Sequence, residues 1–390
     1  MLKKITPENY NVLNSFLERK KAFPVYNNIV NTISGKTIYN NKESKTENNS
    51  NLYCIYDFPN YLKGSITSKY WKAKTINTYK GSLILLKNYT NTQNYLKSKF
   101  NTPKRFRIYQ EKLEACFNIE YKSYYGNISK KNYDYLFEIF HEMLKKRFLE
   151  KKMKNHDLSR WNVYHEIAYP QINSKEAVLF VIYSDGIPVS FYLNLLSNKT
   201  IYGYVKTYDI DYSKFSIGII NFIQQLRWCF DNEIEVYDLL KGNYPYKNKL
   251  IDTDFYYQKH VIYNSKSLLA TFLANVIIVK TQTFYSIVNI LKKLNIDVVY
   301  HKILDFIYKD KIENDLQNII ILNNIEITTK DKLLEVNIND KSLSFLKRIV
   351  YTFLYHNKES LSTVKLFKFK NELNTYLIKG KKQTQKITFQ

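Results

Sequence analysis

Residues 177–208 limit the fold more than any other stretch. Three apolar runs, AVLFVIY (177–183), IPVSFYLNLL (187–196) and IYGYVKTY (201–208), are separated only by Ser184-Asp185-Gly186 and by a short turn at Asn198-Lys199. Asp-Gly between two apolar strands favours a two-residue reversal in which both central residues take positive φ. The stretch therefore predicts a three-stranded antiparallel meander. Apolar spacing then changes from strand-like to helical: Ile219, Ile220, Phe222, Ile223, Leu226 and Phe230 share one face of a helix over 216–230. A strand at 235–240 (EVYDLL) follows, then Gly242 and a further strand at 254–262.

Upstream, residues 132–152 carry Tyr135, Leu136, Ile139, Phe140, Met143 and Leu144 at helical spacing, with Ser129 placed to cap them. A helix is expected over 94–116, with Pro103 marking a boundary inside it. A strand is expected at 117–123. The first 95 residues predict a helix at 11–21 and strands at 52–58 and 81–86, with a polar loop at 40–51. Beyond the centre, 267–294 and 301–312 read as helices. The tail predicts a strand pair at 325–328 and 333–338, a helix at 342–355 and a basic end at 379–386.

Composition narrows the class. The 390 residues contain 45% hydrophobic and 16% aromatic side chains, a globular balance large enough for two or three domains. The 36 Tyr and the many Asn, Lys and Ile follow AT-rich codon usage, so no single Tyr or Lys carries weight. Net charge is +24. That excess suits an anionic partner: a pyrophosphate-bearing cofactor, an acidic membrane surface or nucleic acid. The cations are spread along the chain rather than gathered in a tail, so no stable DNA binding is expected. Cys54, Cys116 and Cys229 have no metal spacing and are odd in number, which suits a reducing compartment. The N-terminus lacks an apolar signal core, so a cytoplasmic location is expected. The longest apolar run, 268–279, is about 12 residues, too short to span a bilayer and better read as a buried or surface-docked helix.

Two short segments suggest chemistry. The strand at 201–208 runs through Asp209 into Ser216-Ile217-Gly218 at a helix start. Free main-chain amides and the helix dipole there suit a pyrophosphate, and Gly218 allows close approach. The plain alternative is a capped helix with Ser213 or Ser216 as its cap. The second segment is Tyr237-Asp238-Leu239-Leu240-Lys241-Gly242-Asn243-Tyr244-Pro245-Tyr246-Lys247. Together with Tyr208-Asp209…Ser216-Ile217-Gly218 upstream, the Lys104-Arg105-Phe106-Arg107 and Lys146-Arg147-Phe148 helices, and the Asp-Gly hairpin, it resembles one branch of the GNAT acyltransferases. That branch contains the FemAB-like and CelD-type (BioF-like) acetyltransferase domains. The resemblance covers about residues 95–265. Three departures stand out: Ser216-Ile217 where relatives carry Pro-Gly, Asn243 in place of Asp, and Asn248-Lys249 after Tyr-Lys.

The resemblance implies an α/β (α+β) GNAT fold, a mixed and mostly antiparallel sheet flanked by helices, with a partial GNAT-like N-terminal module. The expected divisions are 1–95, a GNAT domain at 96–265, a helical extension at 266–318 and a small α/β region at 319–390. It implies direct acyl transfer from acetyl-CoA or another acyl-CoA, without a metal, to a small-molecule or glycan acceptor of the cell envelope. Asp238 is the expected general base, with Tyr246 and His165 as further catalytic candidates. Ser216, Ile217, Gly218 and Lys247 are expected at the donor, and Arg105, Arg147, Tyr208 and Gly242 at the substrate. FemAB-like relatives use aminoacyl-tRNA, so a tRNA donor is the second expectation. A non-catalytic scaffold is the third, and peripheral membrane contact is compatible with all three. The whole reading depends on the turn near Ser216 lying beside the strand that ends in Asp238. Motifs of nucleotide-binding loops, zincins and serine hydrolases are absent from the sequence.

Overall fold

The computed structural model describes residues 6–41, 50–66, 68–150, 156–242, 247–294, 319–325 and 332–389. The expected helix at 301–312 and most of the loop at 40–51 lie outside these residues.

The first strands are β1 (Glu8–Asn11), β2 (Tyr26–Asn31), β3 (Thr37–Asn40), β4 (Leu52–Pro59), β5 (Leu62–Ile66) and β6 (Trp71–Ile84). The helices α1 (Thr92–Lys99) and α2 (Lys104–Cys116) part at Pro103, as expected. Then come β7 (Ile119–Tyr124), α3 (Lys130–Glu150), a short α4 (His156–Ser159) and α5 (Trp161–Asn173). The meander is β8 (Ala177–Ser184), β9 (Ile187–Ser197) and β10 (Thr200–Tyr208), followed by α6 (Ile217–Asp231), β11 (Val236–Lys241) and β12 (Thr253–Asn264). The chain ends with α7 (Leu268–Lys293), β13 (Ile319–Asn323), β14 (Leu333–Val336), α8 (Lys347–Asn357), β15 (Lys365–Phe369), β16 (Thr375–Lys379) and β17 (Thr384–Phe389).

The central sheet has nine strands in the order β1-β4-β12-β6-β11-β10-β9-β8-β7. Only β1 with β4 and β10 with β11 run parallel. The fold is thus mixed α/β with a largely antiparallel sheet, the arrangement the resemblance implies. The turn between β8 and β9 has Asp185 at φ +51° and Gly186 at φ +80°, the positive-φ pair that Asp-Gly favours. Every residue of β8 is buried, because α3 and α5 cover one face of the sheet and α6, α1 and α2 the other. That explains an uninterrupted apolar run in an antiparallel strand, where alternation is the norm.

β6 is fourteen residues long, against the six expected. It pairs with β12 from Trp71 to Leu83 and with β11 at Gly81, Leu83 and Ile84. The boundary expected near residue 95 is therefore crossed by hydrogen bonds on both edges of this strand. The segment expected as a helix at 11–21 is a seven-residue π-helix, Val12–Glu18. It is anchored by the buried Glu18, which takes two bonds from Arg160 at the start of α5 (2.7 and 2.6 Å) and one from Tyr204 (2.7 Å).

Residues 319–389 include a separate five-stranded sheet, β13-β17-β16-β15-β14, with α8 beside it. The expected basic end supplies β17. Ile325 is not in a strand, and 326–328 lie outside the described residues. α8 packs on the 3-10 turn Ile210–Phe215, with the Tyr351 ring tilted against Tyr212 (centroids 4.8 Å) and Tyr355 edge-to-face with Phe215 (5.2 Å).

Candidate active site

The site begins where β10 and β11 part. They share only three register positions, Thr200 to Tyr202 against Val236 to Asp238. β10 then bulges between Gly203 and Val205 and runs on to Tyr208, while β11 bulges between Asp238 and Lys241 toward β6. Two parallel strands that separate leave a notch between them, and α6 begins beside Tyr208, six residues further along β10.

α6 is held on β9 and β11 by a buried polar ladder. Asn221 Nδ2 donates to Ser190 Oγ (3.0 Å), Gln225 Nε2 to Asn221 Oδ1 (3.1 Å), and Tyr237 O–H and Asn194 Nδ2 to Gln225 Oε1 (2.6 and 2.7 Å). Breaking one such buried bond leaves a desolvated partner, at a cost of about 1–3 kcal/mol. Sequence reading missed this ladder. The signal was present in Asn221 and Gln225, four apart on the otherwise apolar face of α6.

The amides of Ile217 and Gly218 lie in the first turn of α6, where a helix offers them no internal acceptor. Ser216 sits at φ +56° and its side chain makes no cap, contrary to the capped-helix expectation. Its carbonyl instead accepts from Ile219 and Ile220 (2.9 and 3.1 Å). Ile217 is buried. A Cβ on Gly218 would stand 3.2 Å from the Tyr208 ring, so only glycine leaves that ring undisturbed. Tyr192 O–H donates to the Gly218 carbonyl (3.1 Å). The Arg147 guanidinium lies 4.3 Å from the Tyr208 ring centroid, and its buried Nε has no hydrogen-bond partner. The structure thus gathers Ser216, Ile217, Gly218, Tyr208 and Arg147. Lys206, which sequence reading did not single out, lies over the Tyr192 ring on the same side (5.5 Å).

Asp238 lies elsewhere than expected: its carboxylate is on the face of β11 turned away from α6, so it and the Ser216 turn do not share the cleft on which the sequence reading depended. Tyr237 reaches α6, so the next residue points to the opposite face of the strand. There Asp238 is 0% exposed rather than beside an open cleft. Its Oδ2 accepts from Tyr61 O–H (2.6 Å) and its Oδ1 from the Leu240 amide (2.7 Å). The π-helix residues Val12, Leu13, Phe16 and Leu17, with Tyr202 and Tyr257, leave a void of only about 20 Å³ beside it. Burial raises its pKa to about 6, although Tyr61, the Leu240 amide and the Lys247 charge pull the other way. The raised value expected from a cleft is present, but packing produces it.

Lys247 is buried and donates to the carbonyls of Leu239 (2.8 Å) and Lys241 (2.9 Å), tying the chain after Gly242 back to the end of β11. Burial lowers its pKa to about 8, helped by Lys206 and opposed by Asp238. Leu240 at φ +56° and Gly242 at φ +105° turn the backbone here. Tyr246 lies outside the described residues.

His165 and Arg105 do not join either group. His165 lies on α5 against Asp134 of α3 (3.1 Å) and the Tyr133 ring. Arg105 stacks between Phe100 and Phe106 (5.1 and 4.7 Å). A cavity of about 660 Å³ opens between the β8–β9 turn and the C-terminal sheet; neither Gly218 nor Asp238 lines it. Among the described residues no group of three or more His, Cys, Asp or Glu is placed to hold a metal, and the three cysteines are free and buried.

Residues 119–248 match the acetyltransferase (GNAT) domain family. That segment runs from β7 to the end of β11 and contains the notch and α6. No curated protein matches significantly. Similar solved structures include a conserved protein of unknown function from Bacteroides thetaiotaomicron (12% identity, 54% of this chain, 69% of that chain, TM-score 0.37). Another is the C-terminal domain of a putative lysylphosphatidylglycerol synthetase from Agrobacterium fabrum (9% identity, 58% and 72%, TM-score 0.35). A third is FemX (10% identity, 58% and 75%, TM-score 0.39).

Proposed function

We propose that the chain, whose residues 119–248 match the acetyltransferase (GNAT) domain family, moves an acyl group from acyl-CoA to an amine or hydroxyl of a glycan or other cell-envelope precursor. One observation carries the reading. The two parallel strands part after three register positions, and beyond them β10 runs on to Tyr208, against which the first turn of α6 packs through Gly218. The amides of that turn suit the donor pyrophosphate in charge and geometry. Gly218 keeps the approach short, Arg147 and Lys206 add positive charge at the rim, and the notch would hold the acyl arm in line with an acceptor.

Asp238, enclosed beneath Tyr61, acts in this reading as a positioning residue for the end of β11 rather than as the group that takes the acceptor proton. Catalysis then rests mainly on orientation and on main-chain donors at the thioester oxygen.

Calorimetry of the full chain with CoA and acetyl-CoA tests the proposal. Binding at 100 times the dissociation constant adds about 2.7 kcal/mol to stability. Absence of any binding or thermal shift with either ligand, at concentrations that saturate other acyltransferases, rejects it. The net charge of +24 favours a second reading, in which the donor is an aminoacyl-tRNA. Steeply salt-dependent tRNA binding with no CoA binding would select that alternative.

A further inference from the structure

Helix α7 is apolar on two opposite faces. On one, Ala270, Ala274 and Ile278 are buried against Leu52, Val261 and Tyr263 of the central sheet. On the other, Phe272, Val276, Val279, Ile287, Ile290 and Leu294 form one stripe at helical spacing. All six are exposed, Phe272 at 64% and Val279 at 61%. The 26-residue helix is about 39 Å long. An apolar stripe of that length exceeds the scattered exposed side chains that any soluble surface carries.

The helix is long and apolar enough, by length and composition, to cross a membrane, which the 12-residue expectation missed. Its inner face is nonetheless packed along β12 and β6, so it lies flat on the sheet rather than projecting from it.

The charged side chains on the helix itself are all lysines. Residues 255–296 contain five lysines and no Asp or Glu, and residues 58–110, which include β6, contain no Asp or Glu either. Lys280 stands about 80° round the helix from Phe272 on one flank, and Lys293 about 60° round on the other, at 100° per residue. From the sheet, Lys74 Nζ reaches Asn275 (3.4 Å), about 60° round from Phe272 on the second flank. Lysines of this kind can lay their alkyl stems beside an apolar face and keep their ammonium groups at a charged boundary.

We propose that the outer face of α7 docks on a bilayer surface rich in acidic lipids, with the stripe in the acyl boundary and the flanking lysines among the head groups. The two features select this occupant together. A nucleic acid would meet the lysines but leave the apolar stripe in water. A second copy would cover the stripe but oppose two like-charged borders on chains of +24 each. A lipid–water interface with anionic head groups satisfies both, the arrangement of helices that lie in the interfacial plane. The proposal does not depend on which donor the catalytic domain uses.

The test is co-sedimentation of the full chain with phosphatidylcholine vesicles, with and without an equal part of phosphatidylglycerol. Binding is expected only with the acidic lipid and is expected to weaken as salt rises. The triple variant Phe272→Glu, Val279→Glu and Ile290→Glu is expected to lose about tenfold or more in partitioning with an unchanged melting temperature, because the three side chains are already exposed. Failure of the natural chain to bind acidic vesicles overturns the proposal. So does dimerisation without lipid that the triple variant abolishes, which would make a second copy the occupant.

Discussion

Tyr61 donates its hydroxyl proton to Asp238 Oδ2 at 2.6 Å, joining the turn after β4 to the end of β11 across 177 positions of sequence. The bond closes the face of β11 away from α6 and fixes where that strand stops. Tyr61→Phe removes the donor and leaves a buried carboxylate short of one partner. It is expected to destabilise the chain by about 1–3 kcal/mol, read by urea unfolding. A loss below the error of the measurement would show that the bond contributes nothing net.

The same carboxylate gives a pH signature. Its folded pKa is raised to about 6 from an ordinary value of 3.8, so the folded state binds the extra proton between those pH values. Stability from this group is therefore full at low pH and falls as pH rises from about 4 to 6, by roughly 3 kcal/mol. The stability difference between the natural chain and Asp238→Asn should change over that interval and be flat on either side. A difference independent of pH would contradict the assignment.

Gly218→Trp places a large side chain where even a Cβ meets the Tyr208 ring at 3.2 Å. Calorimetric affinity for CoA is expected to fall at least about tenfold, or roughly 1.4 kcal/mol, while far-ultraviolet dichroism is retained. Unchanged affinity would move the donor site away from the start of α6.

Arg160 holds Glu18 by two bonds of 2.6 and 2.7 Å, with the Glu18 side chain nearly inaccessible. Arg160→Ala strands that carboxylate, and a loss of about 3–5 kcal/mol is expected. The double variant Glu18→Gln with Arg160→Met should recover part of it. Proteolysis at residues 12–21 should accelerate in the single variant, because the π-helix is released from α5.

Lys247 gives the opposite pH dependence to Asp238. Its folded pKa is lowered to about 8 from 10.5, so the unfolded chain holds the proton over that interval and stability rises with pH between them. Lys247→Met should remove this rise, measured as the difference in unfolding free energy at pH 8 and pH 10. Persistence of the rise in the variant would assign it to another group.

The parts of the fold legible in sequence are those governed by neighbours along the chain. Asp185-Gly186 dictated its turn through backbone sterics alone, and Pro103 split α1 from α2 because it cannot donate within a helix. The apolar faces of α3 and α6 followed from period. The start of α6 at Ile217 was likewise legible, because a turn running into an apolar helical period is a local feature. β6 was not: its outer residues Trp71 to Lys80 are mostly polar and exposed, and they become a strand only because β12 supplies a paired backbone. The C-terminal sheet was obscured for the same reason, as its strands alternate weakly.

Sequence by itself determined the meander, the helix after it and the family these residues resemble, since turn chemistry and hydrophobic period act within a few residues. Tertiary structure decided which side of β11 each residue serves. A strand alternates its side chains, so a register fixed by distant partners sent Tyr237 to α6 and Asp238 to Tyr61. No pattern within the motif encodes that choice, because it depends on backbone pairing with β6 and β10, which lie far away in the chain.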